Sequence, residues 1–192
     1  MLADRNQAPS GAGYALENRI MVAETLPELF RGSSVQRLAP FFRSQRETLT
    51  NLAGCDRPRI VLLTPGPFNE TYFEHSYLAR YLGFTLVQGG DLTVRDRCVY
   101  LKTVEGLQQV NVILRRVDDN FCDPLELRGD SFLGVAGLVE AVLAGNVKVA
   151  TALGSVLIET AATIPFLPAL SKHCLVGRLN IPAFAPCWVG QV

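Results

Sequence analysis

The run Arg59-Ile-Val-Leu-Leu-Thr64 decides the fold class of this chain. Four consecutive apolar residues that end at Pro65-Gly66-Pro67 are typical of a strand buried on both faces and followed by a loop. Further strands and helices alternate downstream. We predict strands over 84–87, 111–115 and 147–150, a hairpin over 92–101, and helices over 70–82, 132–144 and 160–170. This alternation predicts an α/β fold, with a Rossmann-like, mainly parallel sheet and helices on both faces.

Upstream of this strand, the sequence predicts a loop and a helical pair. Apolar residues recur every three or four positions from Ala15 to Phe30, weakened at Pro27, and again from Ser33 or Ser34 to about Ala53. The pattern of apolar residues changes at Pro58, from a helical period to a continuous run. We therefore predict an N-terminal unit of residues 1–57 and an α/β unit of residues 58–192.

The composition excludes several classes of protein. With 192 residues, 48% of them hydrophobic and 19% charged, the chain is globular and long enough for a sizeable core. The 18 basic and 18 acidic residues cancel, so the basic excess that nucleic-acid backbones require is absent. The apolar stretches are too short and too interrupted to span a bilayer. We expect neither nucleic acid nor a membrane as a partner.

The cysteines and histidines give little support for a metal centre. The five cysteines are scattered without a Cys-x-x-Cys pair, and the histidines are His75 and His173. This pattern lacks the paired ligands of a structural zinc site and favours reduced thiols. The polar N-terminus does not resemble a signal peptide. We therefore expect a cytoplasmic protein.

Polar residues gather where predicted strands end, which is where parallel sheets bind ligands. The loop after the first strand carries Asn69 and leads to Glu74 and His75. This loop favours either a binding site or a simple turn followed by a solvated helix face. After a later strand, Arg115 and Arg116 precede several aspartates. They favour either bidentate binding of a carboxylate or phosphate, with an aspartate orienting the arginine or binding Mg²⁺, or a surface Arg–Asp network.

The N-terminal segment Pro9-Ser10-Gly11-Ala-Gly13 enters a helix that carries Glu17-Asn18-Arg19. Backbone N–H groups in such a loop suit an anion, but the residues alone favour an ordinary helix start with a solvated helix face. Hydrolase motifs are missing, because Gly154-Ser155 lacks the Gly-x-Ser-x-Gly elbow. A cysteine nucleophile would require a cysteine beside one of the histidines in space.

Long stretches of the sequence resemble a known family. They are DRNQAPSGAGYALENR (4–19), RLAPFFRSQR (37–46), LTPGPFNETYFEHSYLARYLGFTLVQGGDLTVRD (63–96) and VILRRVDDNFCDPLELRGDSFLGVAGLVEAVLAGNV (112–147). Together they closely resemble the bacterial circularly permuted ATP-grasp type 2 family, whose relatives include glutathionylspermidine-synthase-like and glutathione-synthetase-like ligases. The resemblance implies a pre-ATP-grasp-like sheet.

The resemblance also implies a reaction. Such ligases activate a carboxylate as an acyl phosphate with Mg-ATP, and an amine then attacks it. We therefore expect a part of an ATP-dependent carboxylate–amine ligase for small peptide-like or amino-acid-like substrates, with ATP and Mg²⁺ as cofactors of a longer parent protein. We expect the longer parent protein to have a further lobe, and the face of this chain that packs against that lobe would support a homo-oligomer. The alternative is a non-catalytic binding module, or a fragment without independent activity.

Clustering at the predicted strand ends and the resemblance to the family together predict roles for particular residues. Arg116 and Asp118 are the candidate catalytic residues, and Asp4 is a weak candidate metal ligand. The candidate substrate-binding residues are Ser10, Gly11, Asn18, Arg19, Asn69, His75 and Arg115. The sequence departs from the family pattern at Ala3, Arg5, Thr151, Val156, Arg178 and Cys187. These departures put full catalysis in question.

Overall fold

The computed structural model describes residues 5–175, 177 and 179. Its strands are β1 (Ile60–Leu63), β2 (Thr85–Val87), β3 (Leu92–Arg95), β4 (Cys98–Thr103), β5 (Gly106–Gln109), β6 (Val112–Arg115) and β7 (Lys148–Ala150). The central sheet is parallel, with the order β2-β1-β6-β7. The register places Leu62 between Leu86 and Leu114. The predicted α/β fold with a mainly parallel sheet is confirmed.

The helices are α1 (Ala12–Thr25), α2 (Pro27–Gly32), α3 (Ala39–Leu52), α4 (Tyr72–Leu82), α5 (Leu138–Leu143), α6 (Val156–Glu159) and α7 (Leu167–Cys174). The predicted first helix is two helices, because Pro27 lacks an N–H and occupies the first turn of α2. For the same reason α3 begins beside Pro40 rather than at Ser33 or Ser34. The predicted final helix lies further along the chain, after a 3-10 turn over Ala161–Phe166.

A second, antiparallel sheet has the order β3-β4-β5. The hairpin of β3 and β4 was predicted, whereas β5 was not. The loop after the parallel sheet also differs from expectation, since α5 covers only the second half of the predicted helix over 132–144. A Cβ on Gly134 would lie 2.2 Å from the carbonyl oxygen of Phe121. This backbone-on-backbone packing holds the segment before α5 in an irregular loop.

The central sheet is covered on both faces. Because successive side chains of a strand alternate, Val61 and Ile113 pack with Leu138 of α5 on one face. On the other face, Leu62 packs with Phe42 of α3 and with side chains of α1 and α4. The N-terminal helices therefore share a hydrophobic core with the strands. The division at Pro58 stays a prediction. Among the described residues, no helix has the length and apolar character needed to cross a membrane.

Candidate functional site

Arg115, the last residue of β6, is fully buried at the carboxyl edge of the sheet. Its Nε donates to the Thr151 carbonyl at 3.1 Å, and its Nη1 donates to Val117 O at 2.7 Å and Gln7 Oε1 at 3.2 Å. Its Nη2 lies 2.8 Å from Asp119 Oδ1. Each of the three guanidinium nitrogens thus has a protein acceptor. In the structure, this predicted substrate-binding residue joins neighbouring loops to one another.

Gln7 completes this arrangement, although no local sequence pattern marks it. Its Oε1 accepts from the backbone N–H of Asp119 at 2.8 Å, while its Nε2 donates to Asp119 Oδ2 at 3.0 Å. The same carboxylate oxygen accepts from Gly154 N at 2.9 Å. Three segments that lie far apart in the sequence therefore meet here: the N-terminal loop, the loop after β6 and the loop after β7.

Glu159 of α6 binds the backbone of the N-terminal loop. Its Oε1 accepts from the backbone N–H groups of Asn6 and Gln7, the latter at 2.6 Å. The hydrogen bond from Gln7 is the main reason that the pKa of Glu159 lies below its usual value, and Arg5 and Arg115 lower it further. Glu159 is therefore anionic at neutral pH.

These segments enclose a cavity of about 310 Å³, which we call the carboxylate pocket. Its lining residues are Arg5, Gln7, Asp118, Asp119, Asn120, Val156 and Glu159. Three of these carry carboxylates and one is an arginine, although the Asp119 charge is balanced by Arg115 from behind. Asp118 is exposed. The pocket therefore favours a cationic or hydrogen-bond-donating group.

Arg116 directly follows β6, so alternation places its side chain on the opposite face of the sheet from Arg115, and it is only 5% exposed. Its Nη1 donates to the Arg115 carbonyl at 3.0 Å, whereas its buried Nε has no partner among the described residues. Burial lowers the pKa of Arg116, the Glu74 carboxylate raises it, and Arg115 lowers it. Arg116 is thus a buried cation with one unsatisfied donor.

Glu74 of α4 is the anion at the start of α1. Both of its carboxylate oxygens lie 2.8 Å from the backbone nitrogen of Gly11, and Oε1 also accepts from Gly13 N at 2.8 Å. Gly11 has a φ of 110°, which favours glycine. The N–H groups predicted to suit an anion therefore bind an internal carboxylate, with Ser10 exposed beside them. The alternative of a solvated helix face is wrong, because Glu74 is 1% exposed.

His75 is also 1% exposed and belongs to a chain of hydrogen bonds. Thr71 Oγ1 donates to Asn69 Oδ1 at 2.6 Å, so it must accept from His75 Nε2, 3.0 Å away. His75 Nδ1 then accepts from Thr64 Oγ1 at 2.9 Å. Burial, and secondarily Arg116, lower the pKa of His75 to about 4. His75 and Asn69 thus hold the loop after β1 with a neutral imidazole.

A cysteine nucleophile finds no support in the described residues. The side-chain partners of His75 are threonines. The Cys122 thiol donates to the carbonyls of Val117 and Asp118, and burial raises its pKa to about 11. A thiol in this state is a poor nucleophile.

The remaining predicted residues lie elsewhere. Asn18 and Arg19 line a separate cavity between α1 and α2, where Arg19 Nη1 donates to the Gln36 carbonyl. Asp4, Ala3, Arg178 and Cys187 lie outside the described residues. Three departures from the family pattern lie in the site itself: Thr151 contacts Arg115, and Arg5 and Val156 line the carboxylate pocket.

Comparison with known protein families identifies the family of this chain. Residues 1–192 match the profile of the circularly permuted ATP-grasp type 2 family. The chain belongs to this family. An uncharacterized protein of Mycobacterium tuberculosis is 43% identical over 177 residues, which cover 91% of this chain and 32% of that protein. A second one is 44% identical over 175 residues, covering 90% and 20%. An uncharacterized protein of Synechocystis is 39% identical over 193 residues, covering 98% and 40%.

The chain thus spans 20% to 40% of the length of these relatives. The family is ATP-dependent and ligase-like, and implies the use of ATP and a divalent metal ion in general. In the described part of the chain, no group of three or more His, Cys, Asp or Glu side chains could hold a metal ion. The Asp119 and Glu159 carboxylates already accept internal hydrogen bonds. These residues do not by themselves fit a Mg-ATP site.

Proposed function

We propose that this chain supplies the substrate-side part of an ATP-dependent carboxylate–amine ligase that acts on small peptide-like or amino-acid-like substrates. In this proposal the acyl phosphate of one substrate is attacked by the amine of the other, and ATP and the metal ion bind largely to residues outside this region. The carboxylate pocket carries the proposal. It is built from two of the family-like loops at the carboxyl edge of a parallel sheet, where ligands of such sheets bind.

The charge of the pocket suits the amine substrate. An amine is an ammonium ion in neutral solution, and the exposed Asp118 carboxylate can hold it beside Glu159. Arg115 contacts protein acceptors, so it offers little to a carboxylate substrate. Arg116, whose buried Nε has no hydrogen-bond partner in the described part of the chain, stays the candidate for an anionic contact. We propose Asp118 as the residue that orients the amine.

Two small probes separate the substrates. Glycinamide has an amine without a carboxylate, and N-acetylglycine has a carboxylate without an amine. Titration followed by NMR should show glycinamide binding at the carboxylate pocket, weakened about fivefold or more in Asp118→Asn. Asp56→Asn removes an exposed carboxylate before β1 and is the matched control. Stronger binding of N-acetylglycine in this pocket would overturn the assignment to the amine.

The reaction itself is tested in a longer family member. Incubation with Mg-ATP, candidate carboxylates and hydroxylamine should yield ADP and a hydroxamate, because hydroxylamine traps acyl phosphates. ADP formation without any hydroxamate or amide product would argue against the ligase.

A non-catalytic binding module is the second candidate. It is favoured by the lack, within the described residues, of a three-ligand metal group. Calorimetry of a longer family member with Mg-ATP separates the two, because the ligase proposal places most nucleotide contacts outside this region. Clear Mg-ATP binding by that protein would contradict a non-catalytic module, and no detectable binding would support it.

A further inference from the structure

A second cavity, of about 480 Å³, lies between α1, α2, the start of α3 and the end of α4. Its lining residues are Leu16, Arg19, Ile20, Ala23, Pro27, Phe30, Arg31, Arg37, Leu38, Ala39 and Tyr81. We call it the arginine-rimmed cavity. It shares no lining residue with the carboxylate pocket. Tyr81 is in the last turn of α4, whereas α4 begins at the carboxyl edge of the sheet. The two cavities therefore lie toward opposite ends of α4.

The cavity has the size and the walls of a small-molecule site. Ligand pockets measure roughly 300–1,000 Å³ and are mostly apolar with a few polar groups. Here the walls are apolar apart from the arginines and the Tyr81 hydroxyl. Tyr81 is held in place, because its ring stacks on Tyr77 with centroids 6.4 Å apart and meets Phe42 edge-on at 5.2 Å. One wall is thus built from aromatic side chains that contact one another.

The charge around this cavity is unbalanced. Of the residues that the structure describes, three arginines and no aspartate or glutamate line it. None of the ion pairs among the described residues involves Arg19, Arg31 or Arg37. Arg19 and Arg31 each donate one hydrogen bond to a backbone carbonyl. A guanidinium has five donors, so most of their capacity remains for an anion.

The apolar part of the cavity continues onto exposed helix surface. Helix α1 buries only Gly13 and Leu16, and Ile20, which lines the cavity, is 37% exposed. Exposed apolar residues that adjoin a cavity indicate a binding surface. The apolar walls and the uncompensated arginines together specify the ligand.

We propose that the arginine-rimmed cavity binds a small amphipathic anion, with its apolar body against Ile20, Phe30 and Tyr81 and its carboxylate or phosphate group at the arginines. The site lies apart from the carboxylate pocket, so this ligand is distinct from the amine bound there. Both anionic groups accept bidentate hydrogen bonds from arginine.

Three probes that share an eight-carbon chain test the proposal on this protein, below their micelle concentrations: octanoate, octyl phosphate and octyltrimethylammonium. Calorimetry should show one-to-one binding of one or both anions and no comparable binding of the cation. NMR should place the perturbed resonances around the Tyr81 ring. Binding should weaken with added salt, because the arginines are partly exposed. The anion that binds with the higher affinity identifies the headgroup that the cavity prefers, carboxylate or phosphate.

Variants make the test specific. Arg37 is exposed and lies outside the regular helices, so Arg37→Gln should fold normally and weaken anion binding about fivefold. Arg43→Gln is the matched control, because Arg43 is exposed on α3 and does not line the cavity. Ala23→Phe, which fills the cavity, should abolish binding. Equal binding of cation and anions, or binding unchanged in both cavity variants, would overturn the proposal. So would self-association through this face without probe binding, measured by sedimentation.

Discussion

The neutral state of His75 makes the stability of this protein depend on pH in a defined window. Its pKa is lowered from 6.5 to about 4 in the folded protein, mainly by burial. As the pH falls below 6.5, the unfolded chain takes up a proton at His75 that the folded chain does not. The stabilisation is therefore complete above the unfolded pKa and is lost as the pH falls toward the folded pKa. Between pH 7 and pH 5 the loss in free energy of unfolding is about 2 kcal/mol.

The perturbation is His75→Gln, which removes the titrating group, and the assay is urea unfolding followed by circular dichroism at several pH values. The variant should be less stable at pH 7, because the threonine hydroxyls lose their partner. Its stability should also fall less steeply with decreasing pH than that of the wild type, by about 2 kcal/mol over the window. His173→Gln is the control, since His173 is exposed. Parallel pH dependences of wild type and His75→Gln would refute a buried neutral imidazole.

Three further predictions concern packing, charge and reactivity. Gly134→Ala should destabilise the fold by about 3 kcal/mol or more in chemical denaturation, because the new Cβ would meet backbone atoms at 2.2–2.3 Å. Gly129→Ala is the control and should cost less than about 1 kcal/mol, because the nearest contact of its Cβ is at 3.8 Å. Glu74→Gln should lower the free energy of unfolding by about 1–3 kcal/mol and speed hydrogen exchange of the backbone amides at the start of α1. Glu70→Gln, at an exposed position, should change neither quantity. Unchanged hydrogen exchange in Glu74→Gln would contradict the role of Glu74 as the anion at this helix start. Cys122 should resist alkylation at pH 8 in the folded protein while exposed cysteines react, as mass spectrometry can verify, because burial raises its pKa to about 11.

The central sheet was predictable because its signal is local. The continuous apolar run of β1 and the alternation that follows it depend only on neighbouring residues. β5 was missed because Gly-Leu-Gln-Gln has neither alternating polarity nor β-branched residues, and it forms a strand only by pairing with β4. The break before Pro27 shows the opposite case, in which one residue overrides a good helical period.

The candidate site was only partly predictable, because its contacts join distant segments. Arg115 and Asp118 were found by clustering at a strand end, and Asp118 does line the carboxylate pocket. Gln7 contacts Asp119 across 112 positions of sequence, and no local pattern marks a glutamine for that role. Glu74 had the spacing of a solvated helix face, yet its carboxylate is buried against the start of α1. Burial of a charge depends on partners that only the tertiary structure supplies.

The N-terminal loop shows how these distant contacts combine. Two carboxylates from separate helices bind its backbone N–H groups, Glu74 at Gly11 and Glu159 at Gln7. The carbonyl of Asn6 accepts from the Thr151 hydroxyl, and the Gln7 side chain contacts Arg115 and Asp119. The loop has little regular structure of its own, so its position is set by these side chains. Any ligand that competes for Glu159 in the carboxylate pocket would therefore also act on the loop, which couples occupancy of the pocket to the geometry of the segment that encloses it.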